Sequence, residues 1–187
     1  MLSPRLTALV AELQSISPMP DDETLNKLPD DNDPLEKLQH ILTTLRKELQ
    51  SHYPVELIPF FLNVFGVGDG NGVFWSMLHL IEQCPHLEDA YPLIQQATKS
   101  ANAGTRKWCC FLLGRRRQKE DEPFLVARLQ DEIAQVRAAA LVSIIMLSQH
   151  YTMKHHLPLI EPLLQDKDKE VSATASDAWE MLNPQRN

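Results

Sequence analysis

The sequence predicts an all-α protein made of helical hairpins repeated along the chain. Three observations carry that prediction. The C-terminal third is one hairpin written twice, Pro-led segments of the same kind recur upstream, and apolar residues fall at helical spacing almost throughout.

The duplication is clearest over residues 123–182. An offset of 35 residues places Pro123-Phe124-Leu125 on Pro158-Leu159-Ile160, Leu129 on Leu164 and Asp131 on Asp166. The same offset places Val136 on Val171, Ala140 on Ala175, Ile144 on Trp179 and Leu147 on Leu182. A shift of 31 brings Pro92-Leu93-Ile94 onto Pro123-Phe124-Leu125 and Arg106 onto Arg137; a further 33 brings Pro59-Phe60-Phe61 onto Pro92-Leu93-Ile94 and Trp75 onto Trp108. Four units therefore start near Pro59, Pro92, Pro123 and Pro158. A hairpin of this kind cannot bury its apolar face alone, but stacked neighbours share one core.

From the N-terminus, Leu2, Leu6, Leu9, Val10, Leu13 and Ile16 mark a first helix that Ser3-Pro4 would start. Ser17-Pro18-Met19-Pro20-Asp21-Asp22 and Pro29-Asp30-Asp31-Asn32-Asp33-Pro34 break helices and read as a solvated, extended acidic connector. Asp33-Pro34 opens a second helix with the stripe Leu35, Leu38, Ile41, Leu42, Leu45 and Leu49. Pro54 to Phe65 is a third helical segment and Val73 to Ile81 a strongly apolar fourth, closed by Pro85. Tyr91-Pro92 is expected to start the next helix and Ala103-Gly104 to close it, with Thr105 to Leu113 following. The expected organisation is a single domain, 1–187: capping helices and connector over 1–53, then about four hairpins over 54–187.

Four of the six glycines fall in Gly66-Val67-Gly68-Asp69-Gly70-Asn71-Gly72. No Gly-Lys-Ser/Thr follows, so this is not a phosphate loop. A helix rather than a strand precedes it, which excludes a dinucleotide fingerprint, and the later acidic ligands of a calcium loop are missing. It reads as a tight inter-helix turn that could touch a partner at the rim.

The chain has 187 residues, 43% of them hydrophobic, and a net charge of -7. Met1 to Phe65 holds ten acids against five bases. An acidic surface argues against a nucleic-acid partner and suits a basic one. Three cysteines, two of them adjacent, do not form a disulfide framework and point to a reducing, cytoplasmic setting. No apolar run approaches the ~18 residues of a membrane span.

The unit from Pro123 resembles a HEAT repeat: a Pro-led first helix, Asp131 in the turn, then Val136-Arg137 and the small residues Ala138, Ala139 and Ala140. The resemblance implies a right-handed α-α superhelix, and in HEAT repeats that Asp and Arg commonly pair between helices. The pattern thins elsewhere. Ser172 stands where the last unit would have its Arg, Ser100 where the Pro92 unit would have its Asp, and the first unit lacks both. Gly70 to Glu82, Gly-Asn-Gly-Val-Phe-Trp-Ser-Met-Leu-His-Leu-Ile-Glu, is similar to a stretch of small bacterial HEAT-like proteins found among polymorphic-toxin immunity proteins. That similarity implies neutralisation of a cognate toxin.

No reactive constellation stands out. Arg115-Arg116-Arg117-Gln118-Lys119 suits a helix C-terminus. His150, His155 and His156 lack the Cys or His spacing of a zinc site, and Cys109-Cys110 reads as buried structural thiol. Neither a metal nor a cofactor is expected. The expected function is stoichiometric protein binding without catalysis, with Asp69, Asn71, Trp75, His79, Arg106, Lys107 and Arg137 as partner contacts. The last three are expected on the concave face that second helices line. The partner would be a protein, possibly a basic toxin domain, and neither nucleic acid nor membrane. Other HEAT-like proteins are lyases or DNA glycosylases, and an enzyme, an assembly factor or a passive scaffold subunit are the alternative readings.

Overall fold

The computed structural model describes residues 2–29 and 33–183, and all regular structure among them is helical. The chain forms two compact units, Met1–Leu93 and Ile94–Asn187.

In the first unit, α1 (Pro4–Ser15) begins where the Ser3 hydroxyl accepts the Leu6 amide at 3.2 Å, with Pro4 at a position whose missing N–H costs nothing. Asp21 caps the short α2 (Asp22–Leu25) through the Thr24 amide at 2.7 Å. Asp33 does the same for α3 (Pro34–Glu48) through the Leu35 amide. A 3-10 turn, Val55–Leu57, leads into α4 (Ile58–Leu62), and α5 is Val73–Glu82. Helix α3 lies against α1 and α5, and α4 touches both α1 and α5, so the N-terminal helices cover the flank of the first hairpin. The core is Leu9, Leu13, the α3 leucine stripe, Phe61, Phe65, Phe74 and Met77.

The connector departs from the solvated strand expected of it. Met19 is buried, and its amide donates to the Val64 carbonyl at 2.8 Å. The Asp22 carboxylate accepts the amides of Asp69 and Gly70, both at 3.1 Å. The reason lies in the glycines. A Cβ on Gly66 would run into the carbonyls of Met19 and Pro20, and one on Gly68 into the Asp22 carboxylate. The glycine-rich turn is thus the seat of residues 19–22. Asp30, Asp31 and Asn32 lie outside the described residues.

Helix α6 (Leu87–Ala97) crosses the boundary between the units. It corrects the expected start at Tyr91. The helix begins four residues earlier with Glu88 and Asp89 in its first turn, and Pro92 sits inside, where it gives up the donation to the Glu88 carbonyl and its ring crowds that carbonyl. The expected close at Ala103-Gly104 is likewise a start: the Asn102 side chain accepts the Gly104 amide at 2.9 Å and opens α7 (Ala103–Arg116).

The second unit continues with α8 (Glu122–Val126), α9 (Ala134–Ser148), α10 (Leu157–Ile160) and α11 (Lys169–Leu182). Helix α9 packs between α7 and α11. That position explains its composition, since a helix covered on both sides is apolar most of the way round. A Cβ on Gly114 would sit 2.6 Å from the Ser143 Cβ, so α7 and α9 approach closely here. The repeat is visible in the burial pattern: the third residue of each Pro-led triad, Phe61, Ile94, Leu125 and Ile160, is fully buried.

Two substitutions separate close approach from backbone strain. Gly66→Ala presses a methyl against backbone and is expected to cost about 1–3 kcal/mol. Gly72→Ala meets open space at φ 85° and is expected to cost about 1 kcal/mol, through conformation alone. Urea denaturation of both variants checks the order.

Candidate functional site

The residues expected to meet a partner divide by unit. Asn71, Trp75, His79 and Gln83 recur every fourth residue along α5 and the turn before it, and all four are exposed. Trp75 stands out, because 36% of so large an apolar side chain faces solvent. His79 Nδ1 lies 3.1 Å from a Glu82 carboxylate oxygen. The Asp69 side chain is exposed while its amide is held by Asp22.

Beside this row, α3 contributes three exposed polar residues that the sequence reading passed over: Gln39, Thr43 and Arg46. They border a depression of about 380 Å³ between α3 and the start of α5, with Asn71, Gly72 and Ser76 on its other side. The Arg46 guanidinium donates to the Ser76 carbonyl at 3.3 Å and also borders a second depression, about 250 Å³, that reaches Tyr53 and Gln83. Only the helical period of α3 could have signalled these residues, since they flank its leucine stripe.

Arg106 and Arg137 are not displayed; both are buried. Arg106 donates from Nε and Nη2 to the two carboxylate oxygens of Asp131 at 2.9 and 2.8 Å, and from Nη1 to the carbonyls of Ser100 and Ala101. Arg137 repeats the pattern one hairpin later, donating from Nε and Nη2 to Asp166 at 2.8 Å each and from Nη1 to the carbonyls of Asp131 and Glu132. Each arginine therefore ties its own turn to the next repeat's aspartate. This corrects the expected pairing within a repeat: Arg137 reaches the backbone of Asp131, because Arg106 already occupies that carboxylate. Asp131 also accepts the Ile133 amide and Asp166 the Asp168 amide.

These bonds set the carboxyl pKa values. Burial pushes the Asp131 carboxyl up, but the Arg106 fork, the Ile133 amide and the neighbouring charges outweigh it and hold the group below its ordinary value. Asp166 is lowered chiefly by Arg137. Asp121, fully buried at the start of α8, goes the other way: burial raises it despite the Gln95 amide at 2.8 Å and Arg116 at 3.3 Å.

Lys107 is half-buried, with its ammonium 5.3 Å from the centre of the buried Trp108 ring. Arg115 and Arg116 lie in the last turn of α7, as the C-terminal cap reading expects. Cys84, Cys109 and Cys110 are all buried and free. Burial raises all three thiols, Cys109 well above the ordinary range and Cys110 up to about 12.

One cluster escaped the sequence reading. The histidines come together not with His150 but with Glu122, whose Oε1 lies 2.9 Å from His155 Nε2 and 2.6 Å from His156 Nε2. Burial raises the Glu122 carboxyl, and the two imidazoles more than reverse this, leaving it lowered. The partners are 33 and 34 residues apart, so nothing local in the sequence announces them.

Residues 90–178 match the family model of HEAT repeats. The chain carries a HEAT-like repeat over that stretch, from α6 into α11, and HEAT repeats suggest a protein-interaction module. No curated protein matches the chain. Among the described residues no helix is long and apolar enough to cross a membrane.

Arg106→Met removes both fork bonds from a carboxylate whose side chain is 3% exposed, leaving it Arg128 Nη1 at 3.2 Å and the Ile133 amide, and is expected to cost about 1.5–3 kcal/mol at neutral pH. The pH dependence has a definite sign. Folded-state pKa values below the unfolded ones add stability above about pH 4 that is lost as pH falls further. Thermal melts across this range are expected to show that acid loss in the wild type and less of it in Arg106→Met. The native thiols are expected to react with a disulfide reagent orders of magnitude more slowly than in urea, where all three become available.

Proposed function

We propose that this protein is a stoichiometric binding module, without catalysis, that neutralises a cognate bacterial toxin by covering its working surface. The observation that carries this reading is the exposed row Asn71, Trp75 and His79, set beside the polar groove that Gln39, Thr43 and Arg46 border. A half-exposed tryptophan with hydrogen-bonding neighbours has the composition of an interface hot spot. The elements that present it are packed helices and a seated turn, so association would need little ordering. The HEAT-like match supports protein interaction in general, and the similarity of Gly70–Glu82 to immunity proteins supports the toxin partner. The charge of -7 favours a basic toxin domain, which electrostatic steering would draw in. In this reading Asp69, Asn71, Trp75 and His79 make contact, while Arg106 and Arg137 hold the scaffold.

The test is co-expression with the toxin-domain product of a reading frame adjacent to this gene. The wild type is expected to restore growth and to form a one-to-one complex. Trp75→Ala is expected to weaken that complex by more than about 2 kcal/mol, some thirtyfold in Kd, with circular dichroism establishing that the variant is folded. A toxin that kills equally with and without the wild-type chain overturns the reading.

A further inference from the structure

We infer that Glu122, His155 and His156 form a binding site for a single divalent metal ion of zinc-like preference. The repeat itself brings these residues together. Lys119–Asp121 and Lys154–His156 are equivalent 3-10 turns, 35 residues apart, each leading into a short Pro-led helix. Because α8 and α10 begin at matching places, Glu122 at the head of one helix meets the histidines just before the other.

The three donor atoms, the two Nε2 and a carboxylate oxygen, lie within 4.8 Å of one another. Among the described residues no other histidine, cysteine and carboxylate groups converge in this way. Two imidazole nitrogens and one carboxylate are the ligand set of an open zinc site, which keeps a fourth position for water or an incoming donor. Zinc bonds of roughly 2.0–2.2 Å place tetrahedral ligand atoms about 3.3 Å apart. The observed 2.6 and 2.9 Å contacts would open by less than an ångström, a change that side-chain rotation can supply. The environment suits a partly dehydrated ion. The His156 and Glu122 side chains are largely buried, and His155, 57% exposed, faces solvent at the entrance. The imidazole rings, with centres 3.9 Å apart, already turn their Nε2 atoms to the same oxygen. Bound metal would staple the third Pro-led turn to the fourth, a cross-link that the Arg106 and Arg137 bonds do not make.

Calorimetric titration of the apo protein with Zn²⁺, with thermal melts alongside, tests the site. The expected result is one ion per chain and a raised melting temperature. His155→Ala, a change at an exposed position, and Glu122→Gln are each expected to weaken binding at least about tenfold, since even an outer-shell partner of a metal site is worth that much. His150→Ala is expected to leave affinity and stoichiometry unchanged. Circular dichroism in chelator establishes that the variants are folded. Wild-type protein that takes up no zinc, or zinc binding that survives both His155→Ala and Glu122→Gln, overturns the inference.

Discussion

Two buried guanidinium forks hold the second unit in register. Arg106 and Arg137 each saturate a carboxylate from the following repeat and two carbonyls from their own turn. Loops in a compact protein are ordinarily kept at the surface by unsatisfied backbone groups. Here the arginines satisfy those groups from inside, so successive turns can stack closely. Close stacking is what lets α9 be apolar on both flanks and lets Gly114 approach Ser143. A charge removed from water is repaid only when hydrogen bonds replace its hydration, and each arginine makes four of them.

The first unit solves a similar problem with geometry rather than charge. Its glycine-rich turn admits the backbone of residues 19–20 and the Asp22 carboxylate at distances no larger residue would allow. The turn is consequently a fixed platform at the head of α5. The proposed contact row begins on that platform and continues on a rigid helix. A stiff scaffold and a modest number of exposed anchors fit a protein that acts by occupying another's surface.

Much of the fold was legible because its signals are local. Ser3-Pro4 and Asp33-Pro34 declare helix starts, the Leu35–Leu49 stripe declares a buried face, and the 35-residue offset declares the duplication. Even the ends of the arginine ladder could be read, since Ser100 and Ser172 interrupt it where the repeat pattern loses its Asp and its Arg. Pro92 points to a helix start, because proline favours the first helical position, whereas here the helix runs through it from Leu87. Asn102 was overlooked as a cap beside the more conspicuous Gly104. The pairing of Arg137 differs from the expected one for a deeper reason: its carboxylate is Asp166, not Asp131. Spacing of six within one repeat is visible in a sequence, whereas pairing to the next repeat depends on how hairpins stack. The same holds for Glu122 with its two histidines, and for Arg46 beside Ser76, which meet only once the chain has folded back.

The most direct test of this account is a double-mutant cycle between Arg137 and Asp166, read by urea denaturation of the two single variants, Arg137→Met and Asp166→Ala, and the double variant. Bidentate charged hydrogen bonds across the repeat boundary predict a coupling energy of about 1.5–3 kcal/mol. A coupling below about 0.5 kcal/mol, the ordinary result for independent sites, would contradict the claim that these forks hold the repeats together.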